Sequence, residues 1–312
     1  MRNLLAVLAA SICAIVPAAA QVAAPPQSIT NSVGMTLVLI QPSTMQIGVF
    51  TPACPTPPAS GATPAGPTPP PGVATPPPIP RDPRNEWSAA DYQACAEIVA
   101  RESSPGFRVE VAKPFYLGKY EVTQEQWRQV MGRNPSTFQG PLVDGDTSKF
   151  PVESIEWADA QAFVAALNRR EKTTAYRLPT EFEWVYACRA GGSGQQSWAD
   201  IRATAVEGGT AFGRYGGERV TPETPAPTTR QVGTKPANAW GLHDMLGGVW
   251  EWVQDPYNGK MFADPSPARD GQVRVLKGGS FTSDVKNAIC ATHAGGPANG
   301  WDVGLRILKE AP

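Results

Sequence analysis

Histidine is almost missing from this chain: His243 and His293 are the two in 312 residues. Cysteine is sparse, with five and no C-x-x-C spacing among them. These absences argue against a zinc cluster and against an iron site held by several histidines. Neither sign of charge dominates, since 27 Lys and Arg face 28 Asp and Glu. A net charge of -1 offers no basic field for a polyanion, so nucleic acid is not expected as a partner. After the N-terminal segment no run is apolar enough to cross a bilayer. There is also no βαβ alternation and no internal repeat.

The N-terminal segment itself has the layout of an export signal. Arg2 precedes an apolar run from Leu4 to Pro17, and Ala18-Ala19-Ala20 before Gln21 is a small-residue cleavage site. A signal peptide is predicted over 1–20, too short for a membrane span. Cys13 does not suit lipid anchoring, because Ile12 is bulky and cleavage there would split the apolar run. The mature chain is therefore expected to be exported, periplasmic or secreted, as a monomer without a transmembrane segment. About 290 residues remain, enough for one large domain or two small ones. Without Cys13 the cysteines are Cys54, Cys95, Cys188 and Cys290. An even count in an oxidising compartment points to disulfides, with three possible pairings. Chain order favours Cys54–Cys95, which brackets an irregular insertion, and Cys188–Cys290, which joins two parts of the ordered body.

Proline (33) and glycine (30) are what the chain has in plenty, and the prolines cluster. The run from about 51 to 84 includes Pro67-Thr-Pro-Pro-Pro-Gly72 and Pro76-Pro-Pro-Ile-Pro80. Such a run buries no core and is expected as extended polyproline or disordered chain. Around it, strands are predicted at Val33–Ile40, Met45–Gly48, Phe107–Val111 and Phe115–Tyr120. Helices are predicted over 85–103, after the capping box Thr123–Gln126, and over Glu156–Asn168. The last carries one apolar stripe, Ala160, Phe163, Val164 and Leu167. Another capping box, Thr180–Glu183, opens a short helix with Trp184 and Cys188. Ser193–Val232 reads as mostly loop. Strand patterns return at Val273–Leu276, Ser280–Thr282, Ile289–Thr292 and Val303–Leu308.

One stretch, Gly241-Leu-His-Asp-Met-Leu-Gly-Gly-Val-Trp-Glu-Trp252, concentrates unusual features. Asp244 and Glu251 flank Gly247-Gly248, where the backbone can take left-handed turns. Such a turn can aim carbonyls and both carboxylates at one point, as a hard cation such as calcium requires. The plainer reading is a tight turn that plugs Trp250 and Trp252 into a core, because calcium takes about 6–8 oxygens. Residue types alone leave both open.

Several segments in order resemble one family. They are Phe115-Tyr-Leu-Gly-Lys-Tyr-Glu-Val-Thr123, Asn134-Pro-Ser136, Pro151-Val-Glu153 with Trp157-Ala-Asp-Ala160, and Tyr176-Arg-Leu-Pro-Thr-Glu-Phe-Glu-Trp184. Ala187-Cys-Arg-Ala-Gly191, the Gly241–Trp252 stretch, Lys277-Gly-Gly-Ser280 and Gly304-Leu-Arg306 follow. Together they resemble the formylglycine-generating enzyme domain, also called the sulfatase-modifying factor domain, over about 31–309. The resemblance implies an α+β fold, a C-type-lectin-like variant poor in regular structure. It also implies calcium bound through Asp244, the carbonyls of Gly247 and Val249, and Glu251. No convincing motif for the family's other calcium site stands in Ser193–Val232.

The family's well-known member oxidises a sulfatase cysteine with oxygen at a copper(I) ion held by two cysteines. Those positions fall on Ser283 and Ala288, which offer no thiolate, so copper is not expected. The histidine-ligated iron of related sulfoxide synthases has no counterpart here either. Ser280, Ser283, Trp250 and His293 are the candidates for the corresponding cleft. Hydrogen-bonded serines and a packed histidine are the plainer reading, since no acid is evidently placed for a triad. Arg306 resembles a structural arginine of the family. The expected function is a binding or accessory protein, or a divergent maturation factor, with an unknown protein or small-molecule ligand. The alternative is an oxidative maturation enzyme acting on a secreted protein or metabolite. A third reading is a lectin-like binder presenting Asp284–Asn287 and Gly295–Trp301.

Overall fold

The computed structural model describes residues 27–47, 93, 106–140, 142–143, 145–191, 203–206, 209–211, 213–215, 218–220, 226–258, 273–283, 288–296 and 300–312. The expected signal peptide, the Pro-rich run, the Cys54–Cys95 bond and the loop Asp284–Asn287 lie outside them, as does the helix over 85–103 apart from Gln93. In chain order the elements begin with β1 (Ser28–Thr30), β2 (Thr36–Ile40), β3 (Ser43–Ile47), β4 (Phe107–Val111) and β5 (Phe115–Gly118). Helices α1 (Gln124–Met131) and α2 (Trp157–Glu171), strand β6 (Tyr176–Arg177) and helix α3 (Glu181–Cys188) follow. Four short strands come next: β7 (Gly209–Ala211), β8 (Gly213–Tyr215), β9 (Glu218–Val220) and β10 (Ala226–Thr228). The chain closes with β11 (Trp250–Pro256), β12 (Arg274–Lys277), β13 (Ala294–Gly295), β14 (Val303–Leu305) and β15 (Leu308–Glu310).

The helices begin where side chains can cap them. Thr123 Oγ1 accepts from the Gln126 amide at 3.3 Å, and Gln126 Oε1 accepts from the Thr123 amide at 3.0 Å. Thr180 and Glu183 repeat this exchange at the start of α3. Each box satisfies amides that the first helical turn leaves without a partner. The α2 stripe of Ala160, Phe163, Val164 and Leu167 is buried as its spacing predicts, and Phe163 stacks on Trp127 of α1 at 4.8 Å. Helix α2 runs three residues past Asn168, to a left-handed Lys172 at φ 52°.

The sheets assemble from both ends of the chain. A five-stranded sheet has the order β1-β2-β5-β15-β6, and a four-stranded sheet has β13-β12-β11-β14. The second contains one parallel pair, β11 with β14. The expected strand over Val303–Leu308 is in fact two, because the chain leaves one sheet at Leu305 and enters the other at Leu308. Arg306 sits at that switch. Ser280–Thr282 and Ile289–Thr292 are turns rather than strands. Left-handed Gly278 and Gly279 (φ 90° and 78°) end β12, and the Ser283 and Thr292 amides then close turns on the carbonyls of Ser280 and Ile289. The region read as loop, Ser193–Val232, carries the four short strands β7–β10.

Cys188 at the end of α3 is bonded to Cys290, across 102 residues of chain. Both are almost fully buried within the larger apolar cluster. Closing so long a loop constrains the unfolded chain strongly in the chain-entropy model. Replacing both cysteines by alanine is expected to cost about 2–5 kcal/mol. Urea unfolding under non-reducing conditions measures it, and an unchanged midpoint would contradict the assignment.

Candidate functional site

Two glycines set the geometry of the stretch between 241 and 252. Gly247 (φ 75°) passes so close to Val206 that any Cβ would collide with that residue's backbone. Gly248 (φ 68°) leaves the same room for the Glu121 carboxylate. Their amides donate to Gly278 and Val206 carbonyls at 2.9 and 3.1 Å. A left-handed bend is therefore pinned between the β12 end and residue 206. Glu121 completes it from the other side, its Oε1 accepting from the Val249 amide at 2.8 Å.

Under this bend lies a buried guanidinium. Arg306 donates from Nε to both Glu251 oxygens (3.1 and 3.2 Å) and from Nη2 to Glu251 Oε1 (2.9 Å). Its Nη1 reaches the Gly118 carbonyl at 2.8 Å, and Nη2 reaches the carbonyls of His243 and Asp244 at 2.9 and 3.1 Å. Trp184 Nε1 donates to Glu251 Oε2 at 2.6 Å. Glu251 is thus saturated by donors from α3 and from the sheet switch.

Asp244 is different. It is left-handed at φ 56° and buried, and Oδ2 accepts from the Gly233 amide at 2.6 Å. Its Oδ1 is buried without a hydrogen-bond partner. A cavity of about 10 Å³ touches Asp244, between Asn238, Leu242 and Leu246. Burial pushes the Asp244 carboxyl up. Glu121 is pushed up further, by burial first and then by the charges of Asp244 and Glu251. Three buried carboxylates here face one guanidinium.

The four cleft candidates separate into two places. Ser280 and Ser283 share a turn, the Ser280 amide donating to Ser283 Oγ at 2.9 Å. Ser280 Oγ donates to Asp302 Oδ2 at 2.6 Å, and the Asp302 carbonyl accepts from the Trp250 amide at 2.9 Å. Trp250 therefore belongs with the serines. His293 does not. Its Nδ1 lies 2.7 Å from Glu181 Oε1 and its Nε2 lies 2.7 Å from the Asn258 carbonyl, with Tyr257 stacked on the ring at 4.6 Å. An acid does orient this histidine, but the second nitrogen meets a carbonyl rather than a serine. Lys277 Nζ joins Glu181 Oε1 at 3.1 Å. Burial pushes the Glu181 carboxyl up, yet Lys277 and then His293 outweigh it and hold it below the usual range.

Residues 87–311 match the sulfatase-modifying factor enzyme 1-like domain. The chain belongs to this family. Among its relatives, the chaperone protein LppX of Paenibacillus barcinonensis is 30% identical over 242 residues, which cover 63% of this chain and 80% of LppX. The formylglycine-generating enzyme of Mycobacterium tuberculosis is 30% identical over 173 residues, covering 49% of this chain and 51% of the enzyme. The chain thus spans about half that enzyme's length. Treponema denticola variable protein 1 has the same fold, with a TM-score of 0.62 at 22% identity over 92% of this chain and all of its own.

Glu121 and Lys277 stand inside family segments and Asp302 just outside one, and the sequence assigned none of them a role. Glu121 was hidden inside a family segment just before a capping box, and its buried position depends on the distant Gly248. Asp302 lies beside Gly304-Leu-Arg306 but meets Ser280 only in space.

Replacing Arg306 by lysine keeps the charge and loses the fork that reaches Glu251 and three carbonyls. The expected cost is about 3–5 kcal/mol in urea unfolding, because Glu251 is left buried and under-paired. A second expectation concerns Asp255, whose carboxyl burial pushes up to about 6. The folded chain then holds an extra proton between about pH 4 and pH 6, and this contribution to stability declines as pH rises through that window. Asp255→Asn removes the decline. Its stability relative to the native chain should rise across the same window, and a pH-independent difference would count against the buried carboxyl.

Proposed function

We propose that this chain is an exported binding protein of the sulfatase-modifying factor family, built on a C-type-lectin-like frame over about 31–309 and working without copper-dependent cysteine oxidation. The observation that carries this reading is the pair of positions where the family resemblance places copper-holding cysteines. They are Ser283 and Ala288, whose side chains both lie against Gly279. Ser283 Oγ is already engaged by the Ser280 amide, and buried Ala288 has no donor atom. Copper(I) takes soft sulfur ligands, and neither side chain is one. The name of LppX, a relative matched over 80% of its length, supports a chaperone-like, client-binding role over a catalytic one. The buried Cys188–Cys290 bond supports an oxidising compartment, and with it the export reading of residues 1–20.

Calcium is the second part of the proposal. The residues fit it at the Asp244 end: a buried oxygen without a partner, a water-sized space beside it, and an excess of buried negative charge. The Gly247 and Val249 carbonyls accept no hydrogen bond among the described residues. Glu251 fits less well as a direct ligand, because Arg306 and Trp184 already occupy its oxygens. Among the described residues no group of three or more His, Cys, Asp and Glu is spaced to hold a metal ion by itself. An ion here would accordingly lean on carbonyls and water. Its contribution would be charge balance and bracing of the bend.

Two measurements test the proposal. Protein incubated with copper(I), oxygen and a cysteine-containing sulfatase-type peptide is expected to yield no aldehyde; mass-spectrometric detection of formylglycine would overturn the non-oxidase reading. Calcium should raise the melting temperature of chelator-treated protein, and Asp244→Ala should abolish the response. A native melting curve indifferent to calcium would remove the ion from the account.

A further inference from the structure

We propose that the face formed by Trp301, Asp302 and Thr282 binds a neutral carbohydrate chain. This rests on the binding-protein reading above and names its partner. Among the described residues, Trp301 is one of two large apolar side chains left exposed, at 39%. Its ring is held in place. Phe281 meets it edge-on at 5.4 Å, Phe138 approaches at 5.8 Å, and these two buried rings pack edge-to-face at 5.3 Å. A ring fixed this way gives up little freedom when a ligand lies on it, which suits a recognition platform.

Asp302, next to Trp301 in the chain, and Thr282, which follows Phe281, present acceptors. Asp302 Oδ2 takes the hydroxyl protons of Ser280 (2.6 Å) and Thr282 (2.9 Å). With its proton turned inward, the Thr282 hydroxyl offers lone pairs outward on an exposed residue. Asp302 Oδ1 has no hydrogen-bond partner among the described residues and remains a further acceptor. A flat indole beside a row of acceptors matches a pyranose, whose C–H face covers the ring while adjacent hydroxyls donate. A cationic peptide would also be drawn to an aromatic ring and a carboxylate. Here two hydroxyl donors already spread the carboxylate's charge, which weakens its pull on a cation and favours the neutral polyol. Through Ser280 and Asp302 the face is hydrogen-bonded to Ser283 and Trp250, the residues named as candidates from the family resemblance.

Isothermal titration of the full mature chain with cellohexaose, chitohexaose and xylohexaose tests this. At least one should bind, with an affinity insensitive to salt. Trp301→Ala should weaken that binding by about tenfold or more, Trp301→Phe should retain part of it, and Thr282→Val should weaken it severalfold. Melting curves establish that the variants fold; if Trp301→Ala does not, the phenylalanine and Thr282 variants decide. Failure of all three sugars to bind, or binding unchanged in the folded variants, would overturn the assignment. So would Trp301-dependent, salt-sensitive binding of a lysine-rich peptide in their place. Those outcomes leave the non-oxidase reading standing, because the copper and peptide assay tests it separately.

Discussion

A fully buried arginine sets the register of the two sheets. Arg306 sits where the chain passes from the four-stranded to the five-stranded sheet, and its guanidinium reaches both. It must be paired, because an isolated charge at that depth costs several kcal/mol. Glu251 supplies the countercharge from β11, and three carbonyls from two other segments accept from Nη1 and Nη2. The pair is better understood as a device for register than as a source of stability. Whatever its net energy, the sheet switch, the Gly241–Trp252 bend and α3 can be satisfied together in one arrangement.

That constraint shapes the bend above it. Gly247 and Gly248 take left-handed conformations because backbone and carboxylate press against them where a side chain would stand. The bend leaves Asp244 and Glu121 buried beside a single guanidinium already committed to Glu251. This imbalance is why the proposed calcium belongs at Asp244 rather than midway between the two carboxylates of the motif. Of the two carboxylates that read as ligands in the sequence, Glu251 is the one the fold has already neutralised.

The turn beyond the bend has a different character from the brace. Gly278 and Gly279 turn β12 into Ser280 and Ser283. Its side chains are hydroxyls, one carboxylate and aromatic rings. The proposed binding role rests on this set of side chains. His293, Glu181 and Lys277 form a separate buried network that ties α3 to β12 and β13, away from the serines.

Much of this was legible from residues alone. The capping boxes at Thr123 and Thr180, the α2 stripe and the family itself depend on local spacing or on motif order, which a linear chain displays directly; the Cys188–Cys290 pairing was favoured by chain order among three possibilities and is the one formed. The strand patterns at Ser280 and Ile289 misled, because alternation of apolar residues does not reveal that the preceding glycines have turned the chain. Arg306 was recognised as structural without its partners. Glu121 and Asp302 were missed, because each acquires its role from a residue far away in the chain, Gly248 and Ser280. Sequence by itself determined which groups this protein possesses: two carboxylates around a glycine pair, Ser283 and Ala288 where the resemblance expects thiolates, and Arg306 near the end of the chain. Only the tertiary structure decided which carboxylate the arginine consumes and which is left without a partner, because that choice is made by burial and long-range packing, and neither is a property of neighbours in the chain.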